Sequence, residues 1–384
     1  MKKIVVIPGS GIGPEIILPI TEILSMLGSY ECIIYKDIRN IANRTLATKE
    51  ISKFYETYVG KEPKESRSHW ARYNILDGLI KKYIFSKESI EMSEYEKYKY
   101  RGISQEFKEI VKESDACLFG SIQDVNGGYL LFWFRQGLDL FANVRPAKCY
   151  PNVPCYSKDI DLVIIRENTE GLYVGMEYQK ADTVMAIKRL TKRGVERIIR
   201  FAFDIATKRK TKGGKGQVTC VDKANALPIC DGYFRFAFKS IAKEYPAINT
   251  QEWFIDRAAM ELIRAPETID VIVTSNLYGD ILSDEAAALV GGLGVTPSGE
   301  IGINYGLFQP VSGTAPDIAG KNIANPLSGL FSTVMLLEYI KEFQHAQSLE
   351  NAILEFLRAG KKFTTDLGGT GTTSDVFAEI KRYL

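Results

Sequence analysis

The sequence predicts an α/β fold built on a largely parallel sheet, and three observations carry that reading. Short apolar, β-branched runs recur along the 384 residues, amphipathic helical stretches lie between them, and polar residues cluster just after the runs. In open α/β sheets ligands bind beyond the carboxyl ends of the strands, so those polar clusters are the first candidates for a site.

Ile4–Ile7 reads as the first strand. It leads into Gly9-Ser10-Gly11-Ile12-Gly13-Pro14-Glu15. The G-x-G-x-G spacing departs from the dinucleotide fingerprint, so this is a tight strand-to-helix turn with Pro14 pre-set for the first helical turn. Lys49–Arg101 is rich in Lys, Glu and Tyr and holds helix-like pieces such as Trp70–Tyr83. It reads as a helical insertion at a domain edge, serving packing or oligomer contact. Ala116–Phe119, Leu162–Ile165, Val218–Val221 and Val271–Thr274 are the further strand runs, and Glu196–Lys208 and Asp231–Glu244 the helical ones. Arg209–Gly216 is a basic, glycine-rich surface connection, with phosphate contact as the alternative.

Bulk properties narrow the function. The length allows two domains. A hydrophobic fraction of 45% and a charged fraction of 25% are ordinary for a soluble globular protein, and a net charge of +2 makes no case for nucleic acid or membrane partners. No apolar run spans a bilayer, and a strand at the N-terminus is not a signal peptide, so a cytoplasmic protein is expected. The six cysteines form no Cys-x-x-Cys pair and are expected as reduced, buried thiols. Two histidines argue against a His-based zinc site or a Ser-His-Asp triad.

The richest stretch is Asn276-Leu-Tyr-Gly-Asp280-Ile-Leu-Ser-Asp284, just after Val271–Thr274. On a helix, Asp280 and Asp284 stack on one face. Two close carboxylates repel, and a hard divalent cation with oxygen preference compensates them. The alternative is that Asp280 caps a helix and Asp284 is solvated. Arg135, Arg145 and Arg166 are suited to bidentate carboxylate binding. Their alternative is internal salt bridging, for instance to Glu167 or Glu170. Lys223, at a strand end, is a candidate base, and Tyr173 a candidate proton donor or a packing tyrosine. Asp256 is a third metal ligand or a helix cap.

Six ordered segments together resemble the β-decarboxylating dehydrogenases of (R)-2-hydroxy acids, the isocitrate/isopropylmalate dehydrogenase family. They are Pro8–Glu15, Asp139–Pro146, Arg166–Tyr173, Asp222–Asn225, Asn276–Asp284 and Gly313–Pro326, closing at Asp366–Gly369. The resemblance implies a two-domain fold with a large sheet and an interdomain cleft, not a Rossmann fold. The first domain would join 1–140 and 291–384, and the second, 141–290, would carry the dimer arm. Arg135, Arg145 and Arg166 would clamp the substrate carboxylates. Asp256, Asp280 and Asp284 would hold Mg2+ or Mn2+ as a Lewis acid. Lys223 would accept the hydroxyl proton and Tyr173 would protonate the enol carbon. In the family the lysine and one aspartate reach into the neighbouring subunit's site, so a homodimer with shared sites is expected.

The resemblance also places NAD on the loop Ser312–Asn325. Ser312, Gly313, Asp317 and Ile318 would line the cofactor, with Asn325 at the adenine and Asn225 near the nicotinamide ribose. Asp317 stands where NAD users accept ribose hydrogen bonds, and it would repel a 2′-phosphate. Two residues depart from the family pattern: Ser10 replaces the usual aspartate, and Ser312 the usual histidine. Before Arg135 the chain reads Gly128-Tyr-Leu-Leu-Phe-Trp-Phe. Leu131 and Phe132 make this an apolar face that favours an alkyl γ-group, hence 3-isopropylmalate, over a third carboxylate. Core packing of these aromatics is the alternative. Isocitrate, homoisocitrate and tartrate or malate remain the other family substrates, and a non-catalytic regulatory or binding subunit the reading from another class.

Overall fold

The computed structural model describes residues 1–36, 103–122, 130–157, 159–180 and 183–384; the expected insertion at Lys49–Arg101 lies outside them. The strands are β1 (Lys2–Ile7), β2 (Tyr30–Ile34), β3 (Ala116–Phe119), β4 (Ala142–Lys148), β5 (Asp161–Glu167), β6 (Glu177–Lys180), β7 (Thr183–Ala186), β8 (Gln217–Asp222), β9 (Asn249–Phe254), β10 (Val271–Thr274), β11 (Pro297–Ile301) and β12 (Gly306–Pro310). All but β6 and β7 form one ten-stranded sheet, in the order β2-β1-β3-β12-β11-β4-β5-β10-β8-β9. β6 and β7 pair with each other as an antiparallel ribbon.

The sheet is parallel at both ends and antiparallel through β12-β11-β4-β5. The runs expected as strands lie in the parallel parts or beside them. β3 and β10 are buried at every position because helices cover both sheet faces. The central strands β4, β11 and β12 carry Pro, Gly, Arg or Glu and give no apolar run to read.

The helices are α1 (Gly13–Leu27), α2 (Gln105–Glu113), α3 (Lys192–Thr211), α4 (Cys230–Ala242), α5 (Ile255–Arg264), α6 (Asn276–Ala288), α7 (Leu327–Tyr339), α8 (Phe343–Ala359) and α9 (Thr373–Tyr383). One core packs β1 and β3 against α1, α7, α8 and α9 through Ile16, Ile20, Leu330, Leu337 and Phe356. The opposite face of those strands buries Phe107, Trp133 and Phe134. In the other half, α3 and α4 cover one face with Ile198, Phe203 and Phe238, and α5 and α6 the other with Leu262 and Leu282.

Two expectations change. Cys149 and Cys155 are joined as a disulfide with Cα atoms 5.9 Å apart, so these two are not thiols. The short Cys-Tyr-Pro-Asn-Val-Pro-Cys turn brings them together, a spacing that a search for Cys-x-x-Cys passes over. Cys32, Cys117, Cys220 and Cys230 are free, and burial pushes the Cys117 and Cys220 thiols far up. Of the expected connection Arg209–Gly216, Arg209–Thr211 belong to the end of α3, and 212–216 form the expected surface turn into β8. Arg209 pairs with Asp270 at 2.6 Å and Asp161 at 2.9 Å, and Lys215 donates to the Ile269 carbonyl at 2.9 Å. Among the described residues no helix is long and apolar enough to cross a membrane.

Candidate active site

Sheet register assembles the arginines. Glu300 of β11 lies opposite Asn143 of β4, and Asn143 lies opposite Arg166 of β5. Residues directly opposite in adjacent strands share a face, so these three form a row across the sheet. Arg145, two residues along β4, joins that face. Arg135 reaches the row from the π-helical turn Trp133–Gly137, a winding frequent at functional sites. Fully buried Glu300 accepts from Arg135 Nε through both oxygens at 3.0 Å and from Nη2 at 2.5 Å. Asn143 and Gln309 also donate to it, at 3.3 and 3.0 Å. Arg145 Nε donates to Asn143 Oδ1 at 2.9 Å. Arg166, only 1% exposed, gives Nε and Nη2 to Asn276 Oδ1 at 2.9 and 2.6 Å. Glu167 and Glu170 are taken elsewhere, Glu167 by the Thr169 and Glu170 amides and Glu170 by the Thr191 amide, but the internal salt bridging expected as the alternative is present with other partners: Glu300 for Arg135, Asp284 for Arg145 and Asp280 for Arg166.

β10 feeds α6 across this face. A Cβ at Gly279 would stand 2.6 Å from the Cβ of Arg166, so a bare backbone there lets the helix approach β5. Ser275 occupies the N-cap position, which removes the capping alternative for Asp280. The two oxygens of Asp280 accept from Arg166 Nη1 and from the Tyr173 hydroxyl. One turn on, Asp284 Oδ1 lies 3.4 Å from Arg145 Nη1. The Arg166 guanidinium sits 5.0 Å from the centre of the Tyr173 ring.

These contacts set the charges. Burial pushes the Asp280 carboxyl up, but Arg166, the Tyr173 hydrogen bond, Arg145 and Arg135 outweigh it and hold Asp280 below the usual range. At Asp284 burial wins, helped by the Asp280 charge, and the group is raised despite Arg145. Burial and the neighbouring Arg135 and Arg145 draw Arg166 down to about 10 against Asp280, which leaves it charged at neutrality. Burial and the Asp280 bond push Tyr173 up, so its phenol keeps its proton. A raised carboxylate beside an ionised one, both offering oxygen only, fits a hard divalent cation that completes its shell with other oxygens.

Lys223 follows β8 directly, and its Nζ pairs with Asp256 in the first turn of α5. Asp256 thus meets Lys223 rather than the α6 aspartates, and its side chain is 64% exposed. Among the described residues no group of three or more His, Cys, Asp or Glu is placed to hold a metal.

The expected cofactor loop rests on the glycine turn after β1. Ile12 donates to the Thr314 carbonyl at 2.9 Å, and Ser121 Oγ to the Ser312 carbonyl. A Cβ on Gly11, whose φ is +62°, would meet the Thr314 oxygen at 2.0 Å. Glu15 accepts from the Gly320 amide, and from the Asn322 amide at 3.2 Å. The motif is the tight strand-to-helix turn expected, and it also seats the loop. Gly313 and Asp317 are exposed and Ile318 half-buried. Among the described residues the buried Ser312 Oγ has no partner, an orphaned polar atom that a ligand at this loop would satisfy. Asn325 is already engaged, donating to Asp366 at 3.0 Å and accepting from the Leu327 amide at 3.0 Å, and Asn225 is exposed.

The structure therefore gathers Arg135, Arg145, Arg166, Tyr173, Asp280 and Asp284, and places Lys223 with Asp256 as a second cluster. Leu131 and Phe132 are half-buried, whereas their neighbours Leu130, Trp133 and Phe134 pack the core. Sequence reasoning missed Glu300, Asn143 and the role of Asn276. Asn143 and Asn276 lie inside motifs already quoted, but Glu300 lies in none.

Comparisons with known proteins give the family. The family described as Isocitrate/isopropylmalate dehydrogenase matches residues 72–380. A Methanocaldococcus jannaschii 3-isopropylmalate/3-methylmalate dehydrogenase is 45% identical over 308 residues, covering 79% of this chain and 90% of its own. The homoisocitrate dehydrogenase of the same organism is 38% identical, covering 100% of this chain and 98% of its own. A crystal structure of isocitrate dehydrogenase from Methylococcus capsulatus superposes with a TM-score of 0.77 at 32% identity, covering 100% of this chain and 99% of its own. With its ten-stranded mixed sheet and its gathered arginines and aspartates, the chain belongs to the isocitrate/isopropylmalate dehydrogenase family of decarboxylating hydroxy-acid dehydrogenases.

Proposed function

We propose that this enzyme carries out NAD-dependent oxidative decarboxylation of an (R)-2-hydroxy diacid, with 3-isopropylmalate as substrate, as a cytoplasmic homodimer with shared sites. The observation that carries the reading is the row Glu300–Asn143–Arg166, flanked by Arg135 and Arg145 and faced by Asp280, Asp284 and Tyr173. Three oriented guanidiniums bind two carboxylates, and their fixed dipoles cost no reorganisation when the reaction begins.

Asp280 and Asp284, with Asp256 from the neighbouring subunit, would hold Mg2+ or Mn2+, which supplies Lewis-acid polarisation of the C2 oxygen when bound. The loop Ser312–Asn325 would hold NAD, the hydride acceptor, with exposed Asp317 set against a 2′-phosphate. The residues then do the proton work. Lys223 takes the hydroxyl proton as the C2 hydride leaves. The arginines hold the β-carboxylate until its C–C bond breaks and CO2 departs, leaving its electron pair on the β-carbon. Tyr173, kept protonated by burial and Asp280, delivers its proton to that carbon.

The division into 1–140 with 291–384, and 141–290, belongs to the same reading. Each half supplies most of its own pair of apolar cores, although Val153 and Tyr150 pack with the first half and Ile301 and Met335 against the second. Leu131 and Phe132 support an alkyl γ-group. Homoisocitrate is the second reading, favoured by the end-to-end match to a homoisocitrate dehydrogenase. NADH formation with Mg2+ and each of 3-isopropylmalate, homoisocitrate, isocitrate, malate and tartrate tests the proposal. The highest kcat/KM with 3-isopropylmalate and NAD is expected. Turnover only with a tricarboxylate would overturn the substrate, and no turnover with any acid and either NAD or NADP would favour a binding subunit.

A further inference from the structure

The backbone amide of Lys223 donates to Asp231 Oδ2 at 2.9 Å. Asp231 stands in the first turn of α4 and is 1% exposed. Its Oδ1 is paired with Lys188 Nζ, and the Tyr278 hydroxyl donates to Oδ2 at 3.1 Å. Lys188 Nζ also lies 4.5 Å from the centre of the Tyr278 ring. On the other side of Lys223, Asp222 accepts from the Ala224 amide at 2.8 Å and is held by Arg235 at 2.7 and 2.9 Å.

A first-turn aspartate usually answers its own helix end. Asp231 instead spends an oxygen on an amide eight residues upstream, and draws a lysine from beyond β7 and a tyrosine from α6 to do so. A buried carboxylate is tolerated only when such partners surround it, and removing one exposes the rest to an unmet charge. The arrangement thus fixes the backbone of Lys223 from both sides and ties it to the helix that carries Asp280 and Asp284.

We propose that Asp231, clamped by Lys188 and Tyr278, is a positioning residue that aims Lys223 for proton transfer; this rests on Lys223 being the proton acceptor. The loop is held before any ligand arrives, so no ordering is left for the moment of reaction.

The test compares Asp231→Asn, Lys188→Arg, Tyr278→Phe and Lys223→Ala in the full-length protein. Hydrogen exchange at the segment containing the Lys223 amide, measured without substrate, should quicken by about tenfold or more in Asp231→Asn as its acceptor weakens. With 3-isopropylmalate, kcat should fall by about 10- to 100-fold with KM within about threefold, since misplacement by 1 Å can cost that much. The isotope effect from deuterium at C2 should also change, a response that a merely stabilising role would not give. Lys188→Arg should keep most of the activity, and Tyr278→Phe should lower kcat by about threefold. If Asp231→Asn does not fold, Tyr278→Phe decides by the same exchange and kcat readings. Unchanged exchange, or faster exchange with unchanged kcat, overturns the inference while an inactive Lys223→Ala leaves the base assignment standing. An active Lys223→Ala instead overturns the assignment on which the inference rests.

Discussion

Replacing Glu300 with leucine tests the arginine row at its root. Glu300 is completely buried and takes three hydrogen bonds from Arg135, itself 11% exposed, with further donors from Asn143 and Gln309. The leucine leaves a buried guanidinium without its counter-charge, and breaking a buried pair from one side costs about 3–5 kcal/mol. Glu300→Gln keeps an acceptor but not the charge and should cost less, about 1–3 kcal/mol. The double variant Arg135→Met/Glu300→Leu removes both charges. It should regain most of the stability, because two apolar groups replace a costly pair. Urea denaturation of the wild type, Arg135→Met, Glu300→Leu and the double variant gives the cycle, and the KM of the hydroxy acid gives the functional arm. KM should rise in all three variants, including the restabilised double one, because each loses or misaims the Arg135 clamp. A Glu300→Leu cost under about 1 kcal/mol, or a double variant as unstable as the sum of its parts, would refute the claim that this pair is buried and coupled.

Three other outcomes follow from the geometry. Gly11→Ala puts a Cβ 2.0 Å from the Thr314 oxygen at a φ of +62°; backbone strain and a displaced loop should cost about 2–4 kcal/mol and raise the KM of NAD more than that of the acid, measured by denaturation and initial rates. Asp317→Lys should turn the NAD:NADP ratio of kcat/KM towards NADP by about tenfold or more, a shift of about 1.4 kcal/mol. Asp280 is held below the usual carboxylate range in the folded state. Its contribution to stability is therefore full above the unfolded value and is lost as pH falls through the lowered folded one. Asp280→Asn should flatten the acid limb of the stability profile below about pH 4, read from urea midpoints without metal.

Strands β1, β3, β8 and β10 were legible because they are largely buried and read as unbroken apolar runs, whereas the parallel edge strands β2 and β9, partly exposed, gave no such run. The antiparallel centre was not legible, because β4 and β11 spend their inward positions on Asn143, Arg145 and Glu300. Those polar residues at core positions form the row proposed as the site, so the fold was hardest to read where polar groups displaced hydrophobicity. The closeness of Asp280 and Asp284 was legible from their spacing, since a helix brings such residues together without help from the rest of the chain, but the spacing alone left a helix cap and a solvated carboxylate as the alternative. Arg135 and Glu300 are 165 residues apart in sequence, and only the tertiary fold, which sets the Trp133–Gly137 turn beside β11, brings them into contact. The Cys149–Cys155 bond was missed for a related reason: it depends on the path of a turn with two prolines, not on a recognised spacing.

Charge balance explains why each site arginine already has a partner. Arg135, Arg145 and Arg166 face Glu300, Asp280 and Asp284, three cations against three anions. A dianionic substrate arriving alone would set two further negative charges beside Asp280 and Asp284. A divalent cation arriving alone would set two positive charges beside the arginines. Arriving together they cancel, and the aspartates can release Arg145 and Arg166 to the substrate carboxylates while turning to the metal. The two affinities must then be coupled, and by linkage each ligand strengthens the other by the same factor. Mn2+ binding followed by electron paramagnetic resonance should tighten about 5- to 150-fold when 3-isopropylmalate is present, the usual range of such coupling. The gain should shrink in Arg145→Gln, where one of the exchanging pairs is gone. Equal Mn2+ affinity with and without the acid would mean that the aspartates and arginines act as independent sites, and the partner exchange would have to be abandoned.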